Sequence, residues 1–254
     1  MIEIEVLRDK VAVGEAAAEC GARAIKRALE HRGAANIVVA TGASQFETLA
    51  ALVARTDIDW SRVTAFHLDE YIGMPESHPA SFRRYLRERF TSRLPTLGAF
   101  HFVEGDAPDL SAELSRLNGL MATHPIDVTF AGIGENAHLA FNDPPADFAA
   151  DEPFKVVTLD ERCRQQQFGE GWFETLDAVP CDAVSMTIRQ IMRSALVVLA
   201  VPDRRKAEAV QATLKDPISP AVPASILREH PACRLFLDRE SAVLLGRPQE
   251  TLIR

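Results

Sequence analysis

Cysteine is scarce and scattered in this sequence of 254 residues. No two cysteines form a CxxC pair, and none gathers with histidine at the spacing of a zinc site. The four are Cys20, Cys163, Cys181 and Cys233. This pattern supports neither a disulfide framework nor a structural metal, so we expect four reduced, mostly buried thiols and no bound metal.

Long apolar runs are also missing. The longest ones, such as residues 195–201, have the length of a β-strand and are far shorter than a membrane span. The first ten residues, MIEIEVLRDK, lack the apolar segment of a signal peptide. We therefore expect a cytoplasmic protein with no membrane partner.

Positive charge is in the minority. The chain has 28 lysines and arginines against 36 aspartates and glutamates, which gives a formal net charge of −8. Because the basic residues are scattered among acidic ones, the sequence lacks the basic stripe that binds a phosphate backbone. We expect no nucleic-acid partner.

The composition itself is that of a folded domain. Hydrophobic residues make up 47% of the chain and charged residues 25%, as is typical of globular proteins. There is no internal repeat, low-complexity tract or Gly/Ser-rich linker, and we interpret the proline-rich residues 216–223 as a loop. Residues 1–254 are therefore predicted to form a single domain.

Short β-branched runs alternate with longer helical patterns. The runs lie at residues 36–40, 63–68, 127–131, 195–201 and 234–237, and helical patterns occupy residues 10–31, 45–53 and 79–90. This alternation predicts an α/β protein with βαβ units around a mostly parallel sheet. Ligands of such sheets bind beyond the carboxyl ends of the strands, so the residues after each run are the candidate site residues.

The turn after the first of these runs reads Thr41-Gly42-Ala43-Ser44 and leads into a helix. Its hydroxyl groups and the free backbone N–H groups of the helix N-terminus are suited to hold an anion. It is not a P-loop, because the pattern GxxxxGK[ST] is absent. A plain N-cap role for Ser44 is an equally good interpretation of the turn alone.

Two adjacent carboxylates, Asp69 and Glu70, follow the run at residues 63–68. Neighbouring side chains of an extended chain point to opposite faces, so only one of the pair can readily serve a given site. One is then a candidate base and the other a structural acceptor. The alternative is that both are loop or capping carboxylates.

The most informative run is GIGENAHLAFNDPP at residues 132–145. Small residues let its backbone approach a ligand closely, and His138 lies between Glu135 and Asp143. Histidine transfers protons near neutral pH, and neighbouring carboxylates can orient it. A structural histidine is the alternative, but the glycine-rich loop after a buried strand favours a function.

Three cations, Arg204, Arg205 and Lys206, follow the run at residues 195–201. Cations at the end of a strand can clamp a phosphate, although a solvated helix start is the default interpretation. The short GxG at residues 132–134 does not complete GxGxxG, and no GxSxG is present. We therefore expect neither a dinucleotide cofactor nor a serine hydrolase.

These segments together resemble the glucosamine-6-phosphate deaminase/isomerase family. The resemblance is carried by TGAS, FHLDEYIGMPESHPASF, GIGENAHLAFNDPP and Lys206, in that order, and spans residues from about Thr41 to Ile226. The 6-phosphogluconolactonases of the same superfamily typically follow the histidine with a segment ending in LFP, whereas LAFNDPP stands here. This difference favours the deaminase branch.

The resemblance implies a three-layer αβα sandwich with a Rossmann-like, mostly parallel sheet. It also implies the conversion of an amino-sugar phosphate into a ketose phosphate and ammonia, with a sugar phosphate as the partner and without a metal or organic cofactor. Since the family has more than one assembly state, a homo-oligomer is left open.

The resemblance further implies a role for each candidate residue. Asp69 would move a proton between C2 and C1 of the open-chain sugar. His138 would assist ring opening, oriented by Asp143 and by Asn136 or Glu135. The residues implied to hold the phosphate are Thr41, Gly42, Ala43, Ser44 and Lys206.

The chain departs from the family pattern at several of these positions. Asn136 stands where aspartate is common, and Ala137 replaces the usual glycine before the histidine. The TGxTP form of the phosphate turn is altered to Ser44-Gln45.

A further departure concerns the phosphate. Gln167 occupies the place of an arginine that commonly reaches the phosphate in relatives, which makes Arg164 or Arg162 the substitute candidates. Two other functions therefore stay open: deamination or isomerisation of another hexose phosphate such as galactosamine 6-phosphate, and sugar-phosphate binding without turnover.

Overall fold

A seven-stranded parallel sheet forms the centre of the protein, whose residues 2–246 are described by a computed structural model. Its strand order is β1-β10-β9-β6-β2-β3-β5. These strands are β1 (Ile2–Leu7), β2 (Ala35–Val39), β3 (Val63–His67), β5 (Ala99–His101), β6 (Val128–Ala131), β9 (Leu196–Val201) and β10 (Cys233–Asp238), and every pair between them is parallel. β4, β7 and β8 belong to a second sheet.

Seven α-helices accompany the sheet within residues 2–246. They are α1 (Lys10–Arg32), α2 (Phe46–Val53), α3 (Phe82–Arg89), α4 (Leu110–Thr123), α5 (Glu161–Gly169), α6 (Ile188–Met192) and α7 (Ala207–Lys215). Short 3₁₀ helices cover Ala43–Gln45, Trp60–Arg62, Thr91–Arg93, Leu176–Ala178, Arg204–Lys206 and Pro223–Glu229. None of the helices in this part of the chain is both long and apolar enough to cross a membrane.

The sheet is covered on both faces. Val38 and Phe66 pack into a core that contains residues of α4, α6 and α7. Their neighbours Val39 and Ala65 pack on the other side, against α1 and α2. Because successive side chains of a strand alternate between faces, two buried faces require consecutive apolar residues, such as residues 37–39 in β2 and residues 65–66 in β3. The predicted three-layer αβα sandwich is confirmed.

Helix α1 shows how the sequence sets local structure. Asp9 caps its start by accepting a hydrogen bond from the Ala12 N–H at 2.9 Å. Gly33 ends it with a left-handed backbone (φ 78°), and its N–H donates to the Leu29 carbonyl. The helix predicted at residues 10–31 is thus present, one residue longer than expected.

The second sheet is antiparallel, with the order β4-β8-β7. It consists of β4 (Asp69–Tyr71), β7 (Phe154–Thr158) and β8 (Asp182–Met186). The alternative that Asp69 and Glu70 are both loop or capping carboxylates is wrong for Asp69, because the chain stays extended after Leu68 and Asp69 pairs with Ser185. Glu70, in contrast, does bind backbone N–H groups at the start of α3. The acidic pair is therefore held by backbone pairing with a distant strand.

Four adjacent strands bring the candidate loops together. β3, β2, β6 and β9 are neighbours in the sheet and all run in the same direction. The segments that follow them, residues 68–70, 41–44, 132–138 and 202–206, therefore emerge along the same edge. This places the candidate site where ligands bind in open parallel sheets.

Candidate active site

A cavity of about 550 Å³ opens at this edge of the sheet. It is lined by predicted site residues from all four loops and from α5: Thr41, Gly42, Ala43, Ser44, Asp69, His138, Gln167 and Lys206. Glu135, Asn136, Asp143 and Arg164 do not form part of its lining. The sequence candidates thus divide into a set that faces the cavity and a set that lies behind or beside it.

Asp69 and Glu70 face different surroundings, as expected for adjacent residues of a strand. Asp69 is buried and faces the cavity. Glu70 faces α3, where its carboxylate accepts hydrogen bonds from the backbone N–H groups of Phe82 and Arg83 at 3.2 and 2.8 Å. It binds the free N–H groups of a helix start, which is a structural role.

Burial sets the protonation of both carboxyl groups. Desolvation, with a smaller contribution from the charge of Glu70, raises the pKa of Asp69 to about 8. Desolvation also raises the pKa of Glu70, to about 6, and the hydrogen bonds it accepts limit that rise. Asp69 is therefore a much stronger base than an exposed aspartate, and it is largely protonated in the empty cavity at neutral pH.

His138 is held by a carboxylate behind it. Its Nδ1 lies 2.9 Å from Oδ1 of Asp143, and the side chains of both residues are buried. Burial alone would raise the pKa of Asp143, but hydrogen bonds from His138 and Asn136 outweigh it and lower the pKa. The resulting carboxylate fixes the imidazole orientation and can stabilise a protonated ring.

Asn136 connects this pair to α5. Its side-chain amide donates to Oδ1 of Asp143 at 2.9 Å and to Oδ2 of Asp160 at 3.1 Å. Its carbonyl oxygen accepts from the His138 N–H at 3.1 Å. The neutral amide thus bridges two carboxylates, which an aspartate at this position would not do because it lacks N–H donors.

Asp160 is a functional candidate that the sequence interpretation missed. Besides binding Asn136, it caps α5 by accepting a hydrogen bond from the Cys163 N–H at 2.6 Å. Its own N–H donates to Asp143 at 2.9 Å. The pattern of an N-cap before residues 161–169 was visible in the sequence, but its contact with the histidine loop was not.

The loop around His138 requires small residues. Ala137 adopts φ 66°, the left-handed region that favours glycine, which gives a reason for the usual glycine there. Gly134 lies against the imidazole, so that a Cβ atom at this position would be 2.2 Å from Nε2 of His138. The glycine at 134 therefore permits the observed position of the ring.

We expect Gly134→Ala to displace His138 and to lower kcat/KM by about 10²-fold or more, since small misplacements of catalytic groups have effects of this size. The measurement is steady-state kinetics with the sugar phosphate proposed below. Gly119→Ala is the matched control, because a Cβ there meets no atom within 4 Å and Gly119 lies inside α4. The control should keep full activity and gain about 0.5–1 kcal/mol of stability; equal activity of both variants would contradict this role of Gly134.

The turn at residues 41–44 and Lys206 line the same cavity, and we call them the anion cradle. The first N–H groups of the 3₁₀ helix Ala43–Gln45 are without acceptors inside the helix. Ser44 does not act as an N-cap; its Oγ accepts from Nε2 of Gln45 at 3.0 Å. The N-cap interpretation of Ser44 is therefore wrong.

Lys206 is buried at the start of α7, and its ammonium group has no ion-pair partner among the described residues. Burial lowers its pKa, and the negative charges of Glu170 and Glu135 oppose that effect. A buried cation without a partner carries an unfavourable desolvation energy that an anionic ligand would relieve. The interpretation of Lys206 as a solvated helix residue is wrong.

The other candidates from residues 161–170 separate clearly. Gln167 faces the cavity, and its Oε1 accepts a hydrogen bond from the Tyr71 hydroxyl at 2.7 Å. Arg164 points away from the cavity and donates to the carbonyl groups of Leu176 and Val179. Arg162 is exposed and also outside the cavity lining. The prediction that Arg164 or Arg162 replaces the missing phosphate-binding arginine is not supported by these positions.

Glu135 lies at the edge of the site and does not orient His138. Its carboxylate lies 3.8 Å from the Arg205 guanidinium, and its N–H donates to Oε1 of Gln166 at 2.8 Å. Of the two alternatives for the second orienting residue, the hydrogen bonds favour Asn136.

One group of side chains within residues 2–246 could approach a metal ion together. Atoms of His138, Asp143 and Cys163 lie within 4.8 Å of one another. Burial raises the pKa of the Cys163 thiol far above its ordinary range, so the thiolate that a metal requires is disfavoured. The imidazole Nδ1 is already bound to Asp143.

Comparison with known proteins gives consistent results. The family model described as glucosamine-6-phosphate isomerases/6-phosphogluconolactonase matches residues 8–235. The glucosamine-6-phosphate deaminase of Listeria innocua is 36% identical over 207 residues, which are 82% of this chain and 86% of the relative. That of Oenococcus oeni is 30% identical over 97% of this chain and 100% of its own length.

Solved structures share the fold. A glucosamine-6-phosphate deaminase described as monomeric superposes with a TM-score of 0.86 at 30% identity and covers 96% of this chain and 100% of its own. A 6-phosphogluconolactonase from Shewanella baltica superposes with a TM-score of 0.78 over 94% of this chain and 97% of its own, at 17% identity, which supports the fold alone. The chain belongs to the glucosamine-6-phosphate isomerase/6-phosphogluconolactonase family.

Proposed function

We propose that the protein is a glucosamine-6-phosphate deaminase that converts glucosamine 6-phosphate and water into fructose 6-phosphate and ammonia. The observation that carries the proposal is that a buried base, an oriented histidine and an anion cradle line one cavity: Asp69, His138 and Lys206 with residues 41–44. The relatives named glucosamine-6-phosphate deaminase support the same activity.

Ring opening is the first step that the geometry supports. His138 faces the cavity while its Nδ1 is bound to Asp143, so Nε2 is the nitrogen left for the sugar. The imidazole would carry a proton from the C1 hydroxyl to the ring oxygen, which breaks the C1–O5 bond and leaves an open-chain aldehyde. Asp143 stabilises the imidazolium that forms on the way.

Proton transfer between carbons is the second step. Asp69 would take the proton at C2 while one proton of the C2 ammonium group passes to the C1 oxygen, which gives an enolamine. Asp69 would then return its proton to C1, which gives a C2 iminium with a C1 alcohol. Water then adds to C2, and ammonia leaves. The electrons stay within the sugar, so the residues of the chain suffice for this chemistry, and burial supplies the basicity that the step needs from Asp69.

The anion cradle would hold the phosphate away from the reacting carbons. Backbone N–H groups of the turn at residues 41–44 and the buried ammonium of Lys206 are donors suited to phosphate oxygens. Gln167 offers a neutral side chain where relatives often have arginine, so Lys206 would carry more of the charge compensation here.

A comparison of three substrates tests the proposal. Purified protein is incubated with glucosamine 6-phosphate, galactosamine 6-phosphate and 6-phosphogluconolactone, and the release of ammonia and of acid is followed. We expect ammonia from glucosamine 6-phosphate at the highest kcat/KM and no acceleration of lactone hydrolysis. A higher kcat/KM for galactosamine 6-phosphate would identify that sugar as the substrate instead. Binding of the sugar phosphates without turnover would favour a protein that binds them but does not catalyse a reaction.

We expect Lys206→Met to raise KM by about 10–100-fold with little change in kcat, because a charged hydrogen bond of about 1.5–3 kcal/mol would be lost in ground and transition states alike. Removing a desolvated charge should also make the empty protein more stable. Lys215→Met is the control, since Lys215 is exposed at the other end of α7. An unchanged KM for Lys206→Met would remove Lys206 from the phosphate site.

The proposal also extends to the cellular setting. The chain would form one catalytic domain that acts in the cytoplasm in amino-sugar degradation. Its reaction would couple an aldose–ketose isomerisation to the hydrolytic release of ammonia. The related deaminase described as monomeric favours a monomer for this chain over the homo-oligomer that the family resemblance left open. Light scattering of the purified protein decides between these states.

A further inference from the structure

Glu170 is a charged residue of the cavity that has no part in the chemistry proposed above. Glu170 follows α5 directly and lies in the cavity wall together with the anion cradle. Its Oε2 atom is 4.0 Å from the position that a Cβ atom on Gly42 would occupy. A carboxylate thus lies beside the turn that is proposed to hold a phosphate.

Glu170 shares the cavity wall with the cations Lys206 and Arg205. Its carboxylate acts on Lys206 and on Arg205, and in both cases its negative charge favours the protonated cation. No hydrogen bond joins Glu170 to either cation among the described residues. Glu170 therefore compensates part of the positive charge of the anion cradle without closing an ion pair.

Among the described residues, the Glu170 carboxylate accepts a hydrogen bond from one neighbour, Gln166. Nε2 of Gln166 donates to Oε1 of Glu170 at 3.1 Å, and Oε1 of Gln166 accepts from the Glu135 N–H at 2.8 Å. Gln166 is buried, whereas Glu170 is only half-buried. Within residues 2–246, a single hydrogen bond restrains the carboxylate, so an incoming anion has little to break when it displaces Glu170.

From these contacts we infer that Glu170 is an internal competitor for the anion cradle, which a phosphate monoester must displace in order to bind. This inference rests on the proposed function, because it takes the anion cradle to be the phosphate site. In the empty protein, Glu170 offsets the charge of Lys206; in the complex, the phosphate takes over that contact. Glu170 thereby lowers the affinity for phosphate and is an affinity-determining residue of the site.

Inorganic phosphate is the probe that tests the inference without turnover. Its Kd is measured by isothermal titration calorimetry for the full chain and for Glu170→Gln, which keeps the shape and the hydrogen-bond acceptor of residue 170. We expect the Kd to fall about tenfold or more in Glu170→Gln, since two like charges at a partly desolvated site repel by at least about 1.4 kcal/mol. Glu174→Gln, an exposed carboxylate four residues along the chain, is the matched control and should leave the Kd unchanged.

The other outcomes overturn the inference. An unchanged or higher Kd in Glu170→Gln would mean that the carboxylate does not compete with phosphate. An equal fall in the Kd of Glu174→Gln would mean that the effect comes from the net charge of the protein and not from the position of Glu170. Absence of phosphate binding by the unmodified chain and by Glu170→Gln would show that the anion cradle is not a phosphate site. Ammonia release from glucosamine 6-phosphate, measured separately, reports on the proposed function whichever result is found.

Discussion

Asp69→Asn is expected to lower kcat for ammonia release by about 10²–10⁴-fold, the usual contribution of a positioned general base. The amide has nearly the shape of the carboxyl group but cannot take the C2 proton. Asp69 is buried at the cavity wall and does not belong to the anion cradle, so the variant should still bind inorganic phosphate. Steady-state kinetics and phosphate titration of the same preparation separate these two effects.

The same substitution should stabilise the protein, and more so as the pH rises. The pKa of Asp69 is 3.8 in its ordinary state and about 8 in the folded protein. Between these values the folded state keeps a proton that the unfolded state has lost, so the stability from this group is fully present below pH 3.8 and is lost as the pH approaches 8. The amide that replaces the carboxyl group has no proton to lose in this range, so the variant does not undergo this loss.

Urea denaturation at pH 5 and pH 8 measures the difference. We expect the free energy of unfolding of the variant to exceed that of the unmodified protein by on the order of a few kcal/mol at pH 8, and by less at pH 5. Parallel pH dependence of the two proteins would show that Asp69 is not a desolvated carboxyl group. Greater stability together with lost activity is the pattern of a site that is destabilised for function.

His138→Gln has the second-largest expected effect, a fall in kcat/KM of about 10²–10⁴-fold with the cyclic sugar. Its cause can be identified by raising the enzyme concentration. If the variant acts only on open-chain sugar, the rate of ammonia release will level off at the rate of spontaneous ring opening in solution. The unmodified protein should show a rate proportional to its concentration over the same range.

The control for this variant is His31→Gln, which changes an exposed histidine in the last turn of α1 and should leave the kinetics unchanged. Asp143→Asn should lie between the two, because the imidazole remains but loses its carboxylate. A His138→Gln rate that stays proportional to enzyme concentration would contradict a ring-opening role.

The architecture of the site was largely predictable from the sequence. β2, β3, β6 and β9 carry apolar runs that mark them as buried strands, and parallel strands place their carboxyl ends at one edge. The loops that follow them were therefore expected to meet, and they form the walls of one cavity. Lys206 and His138 were identified by position for this reason.

The errors on Asp69 and Arg164 have a common physical cause, since each depends on a partner that is distant in the sequence. Asp69 is in a strand because it pairs with Ser185, which lies far along the chain, and β4 is too short to show a pattern of its own. Arg164 was chosen for its charge, but the carbonyl groups of Leu176 and Val179 bind its guanidinium. Sequence position shows neither contact.

Asp160 and Glu170 are residues of the site that the sequence did not indicate, again because their contacts depend on the fold. Both flank α5, whose chemical surroundings depend on how the helix packs over the loop at residues 132–138. In the sequence they are ordinary acidic residues at the two ends of a short polar helix. Only the fold brings one to the support of His138 and the other to the anion cradle.

Product analysis is the most direct test of the central claim that this cavity deaminates glucosamine 6-phosphate by means of Asp69. Ammonia and fructose 6-phosphate are quantified in the same reaction, for the unmodified protein and for Asp69→Asn. The account predicts one ammonia and one fructose 6-phosphate for each glucosamine 6-phosphate consumed, and almost no product from the variant. Absence of ammonia from the unmodified protein at saturating substrate, or an undiminished rate in the variant, would contradict it.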